Sequence, residues 1–119
     1  MKDFRDLKVW QKSHQLTLQI YQHTRNLPKE ELYGITSQIR RATSSIPTNI
    51  AEGCGREGGR DFARFIQIAM GSATELVYLI LHCKEIQLLS PQIYEDLLIE
   101  TTQIKKMLAS SIKKLRSEK

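Results

Sequence analysis

Apolar residues recur at steps of three and four along four segments of the chain, and no segment has the pattern of a convincing strand. This periodicity predicts four helices, at about 5–26, 29–52, 60–88 and 91–116. The first segment carries two neighbouring apolar stripes, which together are wider than one partner helix requires. We therefore expect helix 1 to contact more than its own bundle. The stripes are Leu7, Trp10, His14, Leu18 and Tyr21, and beside them Val9, Leu16, Ile20 and Leu27.

Proline and glycine mark where these helices are predicted to end and begin. Pro28 ends the first segment, because the residue before a proline is disfavoured in the α region. The glycine-rich run 53–59, GCGREGG, predicts a loop between the second and third helices. Ser90 followed by Pro91 is typical of a helix start, with a capping hydroxyl before a proline at the first helical position.

Pro47 lies inside the second segment. A proline there removes one backbone hydrogen bond and crowds the carbonyl four residues earlier, that of Thr43. The hydroxyls of Thr43, Ser44 and Ser45 can occupy the freed carbonyls. We therefore predict one continuous helix that is kinked at Pro47, in preference to two short helices.

Short connections between helices of this length force neighbouring helices to run antiparallel. A chain of 119 residues is long enough for one independent core and too short for a second domain. The predicted fold is all-α: a single up-down-up-down antiparallel four-helix bundle that spans residues 1–119.

Composition and targeting signals favour a cytoplasmic protein with no membrane partner. Charged or polar residues interrupt every apolar run well before the roughly 20 residues that a membrane span needs. The first eight residues, MKDFRDLK, lack the apolar region of a secretory signal. Cys54 and Cys83 form no C-x-x-C motif, so we expect packing thiols and no disulfide.

The excess positive charge is concentrated at the C-terminal end. The formal net charge is +5, while residues 1–104 contain equal numbers of basic and acidic side chains. A basic helix end can face phosphate, but it also complements the negative end of the helix dipole, so a solvated helix end is the alternative interpretation. The candidate nucleic-acid-binding residues are Lys105, Lys106, Lys113, Lys114 and Arg116.

Motifs of catalysis and ligand binding are weak or missing. Residues 53–58 match the letters of a G-x-G-x-x-G motif, but a helical pattern precedes them where the dinucleotide fold requires a strand. No Glu-x-x-His pair occurs for a di-metal carboxylate site, and His14 is an isolated histidine on an apolar stripe. No nucleophile has a base paired with it locally. The sequence therefore predicts a protein that is not an enzyme, with no metal, no cofactor and no small-molecule substrate.

A polar stripe follows the second helix beside its isoleucines. Its members stand at steps of three and four across Pro47, and a glutamate of the third helix is a possible partner for the arginine among them. One interpretation is a solvated face. The other is a hydrogen-bond network, buried or at an interface, that specifies one oligomer and in which the arginine must be paired. The residues are Gln38, Arg41, Ser45, Asn49 and Glu52, with Glu75 on the third helix.

These residues resemble a known family. Residues 33–42, YGITSQIRRA, and residues 45–53, SIPTNIAEG, are similar to the signature of bacterial four-helix bundle proteins that include the 23S rRNA intervening-sequence protein. The similarity extends to residues 6–10, 27–31 and 62–76, while the fourth helix has no distinctive match.

The resemblance implies a homopentamer of four-helix bundles and supplies no catalytic residues. Some members are encoded in intervening sequences of large-subunit ribosomal RNA genes. A related accessory protein of diversity-generating retroelements is a basic pentamer that works with a reverse transcriptase and nucleic acid. Two function classes follow: an oligomeric factor associated with RNA or other nucleic acid, and a protein-interaction scaffold with no nucleic-acid role.

Overall fold

The computed structural model describes residues 3–117, and this part of the chain contains helices and no strand. The predicted all-α fold with four long helices is confirmed. Two short 3-10 helices, Phe4–Asp6 and Lys29–Glu31, precede the first and second of them. The long helices are α1 (Lys8–His23), α2 (Ile35–Cys54), α3 (Gly59–Glu85) and α4 (Pro91–Ser117).

Consecutive helices run antiparallel in a bundle that measures 47 × 22 × 20 Å. The end of α1 meets the start of α2, where Arg40 donates a hydrogen bond to the Thr24 hydroxyl at 2.9 Å. The start of α3 meets the end of α4, because Gly59 lies against Leu115. α2 and α3 form the central pair, with α4 packed on α3 and α1 packed on both α2 and α4.

One apolar stripe from each helix forms the core. In α1, Leu16 and Ile20 of the second predicted stripe are fully buried, while Leu18 of the first stripe is 51% exposed. Helix 1 therefore has more apolar surface than the bundle covers. The largest fully buried aliphatic side chains are Leu16, Ile20, Ile39, Ile46, Ile50, Ile66, Leu76, Ile80, Ile104 and Leu108.

The predicted boundaries at the start of the chain need correction. α1 begins at Lys8 because Leu7 is extended (φ −83°, ψ 126°), and it ends at His23, just before Thr24, whose hydroxyl bonds the Ile20 carbonyl. α2 begins at Ile35, six residues later than predicted. Gly34 has non-helical backbone angles (φ −113°, ψ −115°), which separate α2 from the short 3-10 helix before it.

The predicted glycine loop 53–59 is too long. α2 continues to Cys54 and α3 begins at Gly59, so the loop contains four residues. Gly53 is helical and buried because the aromatic rings of α3 pack directly on its backbone: a Cβ there would lie 2.8 Å from Phe62 Cδ1. Gly58 adopts φ 86°, the left-handed region that glycine tolerates.

The turn between α3 and α4 uses a left-handed residue and a cap. Gln87 has φ 68°, and the Leu88 N–H donates to the Cys83 carbonyl at 2.8 Å, so α3 ends at Glu85, three residues before the predicted end. Ser90 Oγ accepts from the Ile93 N–H at 3.1 Å. The predicted cap at Ser90, with Pro91 as first helical residue, is confirmed.

α2 passes through Pro47 as one continuous helix, as predicted, and the kink stays a prediction. The predicted partner of the freed carbonyl is wrong. The oxygen of Thr43 is within 3.0 Å of the Thr17 hydroxyl, which reaches it from α1. A neighbouring helix supplies this donor because Pro47 and Thr43 are both buried and face the bundle.

α3 has the length and the apolar composition to cross a membrane. The prediction that no segment comes near such a span is therefore wrong by length and mean hydropathy, although Gln67, Ser72 and Glu75 interrupt the apolar run. In the bundle, α3 packs against α2 and α4 and buries Ala69, Ala73 and Leu76 completely. The composition of α3 is that of a core helix.

Both cysteine thiols, of Cys54 and Cys83, are buried. Burial in apolar surroundings raises the pKa of Cys83 to about 11, with a smaller contribution from the negative charge of Glu31. Because the thiolate is the reactive form, Cys83 is a packing thiol.

Candidate nucleic-acid interface

The five predicted basic residues of α4 do not share one face of the helix. Lys105 is half-buried and the other four are exposed. Lys114 and Arg116 are two residues apart, so helical geometry directs them to opposite sides of α4. Arg116 and Lys113 lie beside α3, where both line a hollow between the two helices.

Two arginines at the start of α3 join this end of the bundle. Arg60 and Arg64 line a hollow of about 580 Å³ together with Arg116, and a second hollow of about 620 Å³ continues along α4 past Lys113. Gln67 and Arg116 line both hollows. Arg60 and Arg64 were not among the predicted residues, although the predicted antiparallel order already implies that the start of α3 meets the end of α4.

The charge in these hollows is only partly neutralised. Within residues 3–117, the side chains of Arg60, Lys113 and Arg116 make no hydrogen bond or ion pair. Arg64 is held by Asp61 at 3.0 Å, and its guanidinium lies 4.6 Å from the centre of the Phe65 ring. Three cations therefore stand open to an anion.

Arg56 occupies the same end of the bundle, but it is exposed on the side of the groove between α1 and α2 and lines neither of these hollows. Its guanidinium lies 4.9 Å from the centre of the Phe65 ring and pairs with Glu52 at 3.3 Å. Arg56 and Arg64 thus both cover Phe65. The carboxylate partner of Arg64 is on the same helix, and that of Arg56, which lies in the turn, is on α2.

The predicted polar stripe of α2 forms a hydrogen-bonded group only at its centre. Ser45 Oγ lies 2.8 Å from Ser72 Oγ of α3, and Asn49 Nδ2 donates to the Ser45 carbonyl at 2.8 Å and to Ser45 Oγ at 3.0 Å. Ser72 was not among the predicted residues. Glu52 instead pairs with Arg56.

The outer members of the stripe stay exposed in the single chain. Gln38, Arg41 and Glu75 line one groove of about 580 Å³ between α2 and α3, and the structure shows no ion pair between Arg41 and Glu75 within residues 3–117. Arg41 is therefore not buried by its own bundle. A role for these residues at an interface between copies stays a prediction.

Arg40, the neighbour of Arg41, is the arginine that the bundle uses. Besides its bond to Thr24, its guanidinium lies 4.5 Å from the centre of the Tyr21 ring. It therefore ties the end of α1 to α2. The sequence offered no signal that separates Arg40 from Arg41, because the difference depends on which one faces α1.

Aromatic side chains cover an open groove between α1 and α2. Trp10 stacks on His14, with ring centres 4.9 Å apart and planes 11° from parallel, and Phe4 meets Trp10 edge-on at 4.9 Å. The groove has a volume of about 870 Å³ and includes Pro47 in its lining. We name Trp10, His14, Leu18 and Tyr21 the α1 stripe; all four are partly or substantially exposed.

Potential metal ligands are scattered. Within residues 3–117, no group of three or more histidine, cysteine, aspartate or glutamate side chains is arranged to hold a metal ion. His14 makes its contact with Trp10.

Comparison with known proteins identifies the family. The family model of the 23S rRNA-intervening sequence protein matches residues 5–110, which is most of the chain. The chain belongs to this family. None of the curated proteins compared with the chain matches it.

A solved structure supports the assignment of this 23S rRNA-intervening sequence family member. A protein from Bacteroides thetaiotaomicron, described as a protein with unknown function from the S23 ribosomal protein family, is similar with a TM-score of 0.80. Sequence identity is 28%, and the similarity covers 88% of this chain and 98% of that one. The resemblance stated from residues 33–53 is thus confirmed at the level of the family.

Proposed function

We propose that this protein is a non-enzymatic, oligomeric bundle that binds RNA through the phosphate backbone at its basic end. The observation that carries the proposal is the set of three exposed cations, Arg60, Lys113 and Arg116, which have no ion pair within residues 3–117 and lie around adjoining hollows. Lysine and arginine contacts to phosphate supply affinity that does not depend on base sequence.

Weak sequence preference is part of the proposal. Aromatic residues make up 7% of the chain and none lines either hollow among the described residues, while Phe65 at this end of the bundle is buried beneath Arg56 and Arg64. It therefore presents no open face on which an unpaired base could stack. Charge and shape are what this surface can recognise.

The proposed assembly is a homopentamer, with the number of copies taken from the family resemblance. The exposed α1 stripe, together with Arg41 and Glu75, which have no ion pair among the residues the structure describes, supports contacts between copies. Five copies would raise the formal charge from +5 to about +25, which strengthens the attraction of a polyanion. Light scattering at micromolar concentration tests this, and a particle mass near 13.8 kDa would rule the assembly out.

The proposal includes a cytoplasmic location, with no membrane, cofactor or small-molecule partner.

The proposed RNA binding is tested by a salt titration of binding to a structured RNA. We expect the logarithm of affinity to fall with the logarithm of salt concentration by about 0.7–0.9 per phosphate contact. A variant with Lys105, Lys106, Lys113 and Lys114 changed to glutamate should lose binding while its helical content and particle mass stay unchanged.

The quadruple variant keeps the core intact, because the core residues of α4 are others: Leu97, Thr101, Ile104, Leu108 and Ile112. Equal binding by the wild type and the variant would contradict the proposal, as would no binding by either at low salt. The alternative function, a protein-interaction scaffold, would then be favoured, with the α1 stripe as its contact surface.

A further inference from the structure

We propose that the phosphate-binding site proper is the cleft between α3 and α4, and that it holds a stretch of RNA phosphodiester backbone. We define the α3–α4 cleft by four residues that line its two hollows: Arg60, Gln67, Lys113 and Arg116. This inference rests on the proposed function and refines it, because it moves the contact from α4 alone to a site that two helices build.

The shape of the cleft suits a chain of phosphates. The two hollows, of about 580 and 620 Å³, share Gln67 and Arg116 in their linings, so they adjoin one another along the α3–α4 boundary. Met70, Ala109 and Ile112 contribute to the lining of the second hollow. An elongated depression with cations along its length matches a polymer backbone better than a single small anion.

The charge of the cleft selects an anion. Neither hollow is lined by a carboxylate among the described residues, and Asp61, close to it in sequence, is occupied by Arg64. Arg60 and Arg116 present guanidinium groups, whose planar donors match two phosphate oxygens at once. Gln67, exposed and without a hydrogen bond within residues 3–117, adds an amide donor.

The start of α3 adds to this potential. Its capping residue, Gly58, has no side chain to accept from the N–H groups of the first turn. These groups give the helix start a partial positive charge that favours a phosphate, while Lys114 and Arg116 in the last turn of α4 offset the partial negative charge at the adjoining end of that helix. This contribution supports the cations and would not make a site without them.

Binding in the cleft would depend on where each positive charge lies, whereas binding to a general basic surface would depend only on the net charge. Lys114 is on the opposite side of α4 from Arg116, outside the cleft. Arg25 follows α1 at the other end of the bundle, where it is exposed and its side chain is unpaired within residues 3–117. Removing the charge of either one changes the net charge of the protein as much as removing one charge from the cleft.

The test compares two double variants that each lose two positive charges. Arg60→Gln with Arg116→Gln removes two of the three unpaired charges of the cleft, and Arg25→Gln with Lys29→Gln, which changes two exposed cations at the other end of the bundle, is the control. Affinity for a structured RNA hairpin is measured at several salt concentrations on the full chain. We expect the cleft variant to bind at least 10-fold more weakly and to lower the salt slope by about 1.4–1.8, as two lost contacts require. The control should stay within about threefold of wild type.

A second pair of variants keeps the test independent of arginine packing. Gln67→Glu places a negative charge in the cleft and should weaken RNA binding. Gln103→Glu adds the same charge on the exposed side of α4 and should not. Circular dichroism and particle mass verify that every variant keeps its fold and assembly.

The outcomes separate the two proposals. If wild-type protein binds no RNA at low salt, the proposed function fails and the cleft fails with it. If wild-type protein binds but the cleft and control variants weaken equally, only the cleft is overturned, and net charge explains the binding. Inorganic phosphate is the second probe. If phosphate raises the Tm of the wild type but not of the cleft variant, while RNA affinity is the same for both proteins, the cleft is a free-anion site and the inference is wrong.

Discussion

The hydroxyl of Thr17 lies 3.0 Å from the carbonyl oxygen of Thr43, the acceptor that Pro47 deprives of its helical donor. The same hydroxyl is 2.9 Å from the Ser13 carbonyl, and Thr43 Oγ1 is 3.3 Å away. Since Thr43 is fully buried, water does not replace the missing donor easily. Thr17 has a single hydroxyl hydrogen, which it shares between the Ser13 and Thr43 carbonyls, and this contact from α1 supplies the donor that Pro47 removes from within α2.

Thr17→Val should lower the free energy of unfolding by about 1–3 kcal/mol, because it leaves the Thr43 carbonyl without a donor. In a Pro47→Ala background the backbone N–H at position 47 returns, so the same substitution should cost less. Denaturant unfolding of the four proteins in this cycle measures the coupling. Thr74→Val is the control, since that hydroxyl bonds the Met70 carbonyl on an exposed face of α3. Equal cost of Thr17→Val in both backgrounds would refute the explanation.

Two glycines on facing helices should respond to alanine with opposite signs. At Gly53 a Cβ would meet Phe62 Cδ1 at 2.8 Å and Phe65 Cβ at 3.0 Å, so Gly53→Ala should destabilise by about 1–3 kcal/mol. At Gly71 a Cβ meets nothing within 4 Å, so Gly71→Ala should stabilise α3 by up to about 1 kcal/mol. Urea unfolding of both variants gives the comparison. If Gly53→Ala leaves the free energy of unfolding unchanged, Phe62 and Phe65 of α3 must move to accommodate the added methyl group.

Alanine substitutions of the neighbouring arginines Arg40 and Arg41 should have different effects, the first on stability and the second on assembly. Arg40→Ala removes the contacts to Thr24 and Tyr21 and should lower the free energy of unfolding by about 1–2 kcal/mol. Arg41→Ala should change the free energy of unfolding of the single bundle by less than about 0.5 kcal/mol, because Arg41 is exposed and has no ion pair in the described part of the chain. Under the proposed assembly it should reduce the particle mass seen by light scattering. An unchanged mass would place Arg41 on a solvated face.

The stability of the bundle should fall as the pH rises from about 9 toward 11. The pKa of Cys83 is raised from 9.0 to about 11 in the folded chain, chiefly by burial. In this range the unfolded thiol releases its proton while the folded thiol keeps it, so the free energy of unfolding decreases with pH. Cys83→Ala removes this component, and its stability curve should be flatter than that of wild type in urea unfolding between pH 8 and 10. Parallel curves would contradict the assignment.

Much of the bundle could be predicted from the sequence because its signals are local. The three-and-four spacing of apolar residues depends only on the geometry of one helix, so four helices and their buried stripes follow from it. The Ser90 cap joins two residues that are three positions apart in the chain, and it was likewise predicted. The surplus apolar stripe of α1 also follows from periodicity, since two stripes on a helix exceed what one neighbour can cover.

The tertiary structure decided the contacts between residues far apart in the chain. Thr17 and Thr43 meet, and Arg40 and not Arg41 faces α1, because of how the helices rotate and slide against one another. That rotation and sliding minimise voids among many core side chains together, and no single segment encodes them. For the same reason the basic end unites Arg60 with Arg116, while Lys114, two residues from Arg116, lies outside the cleft.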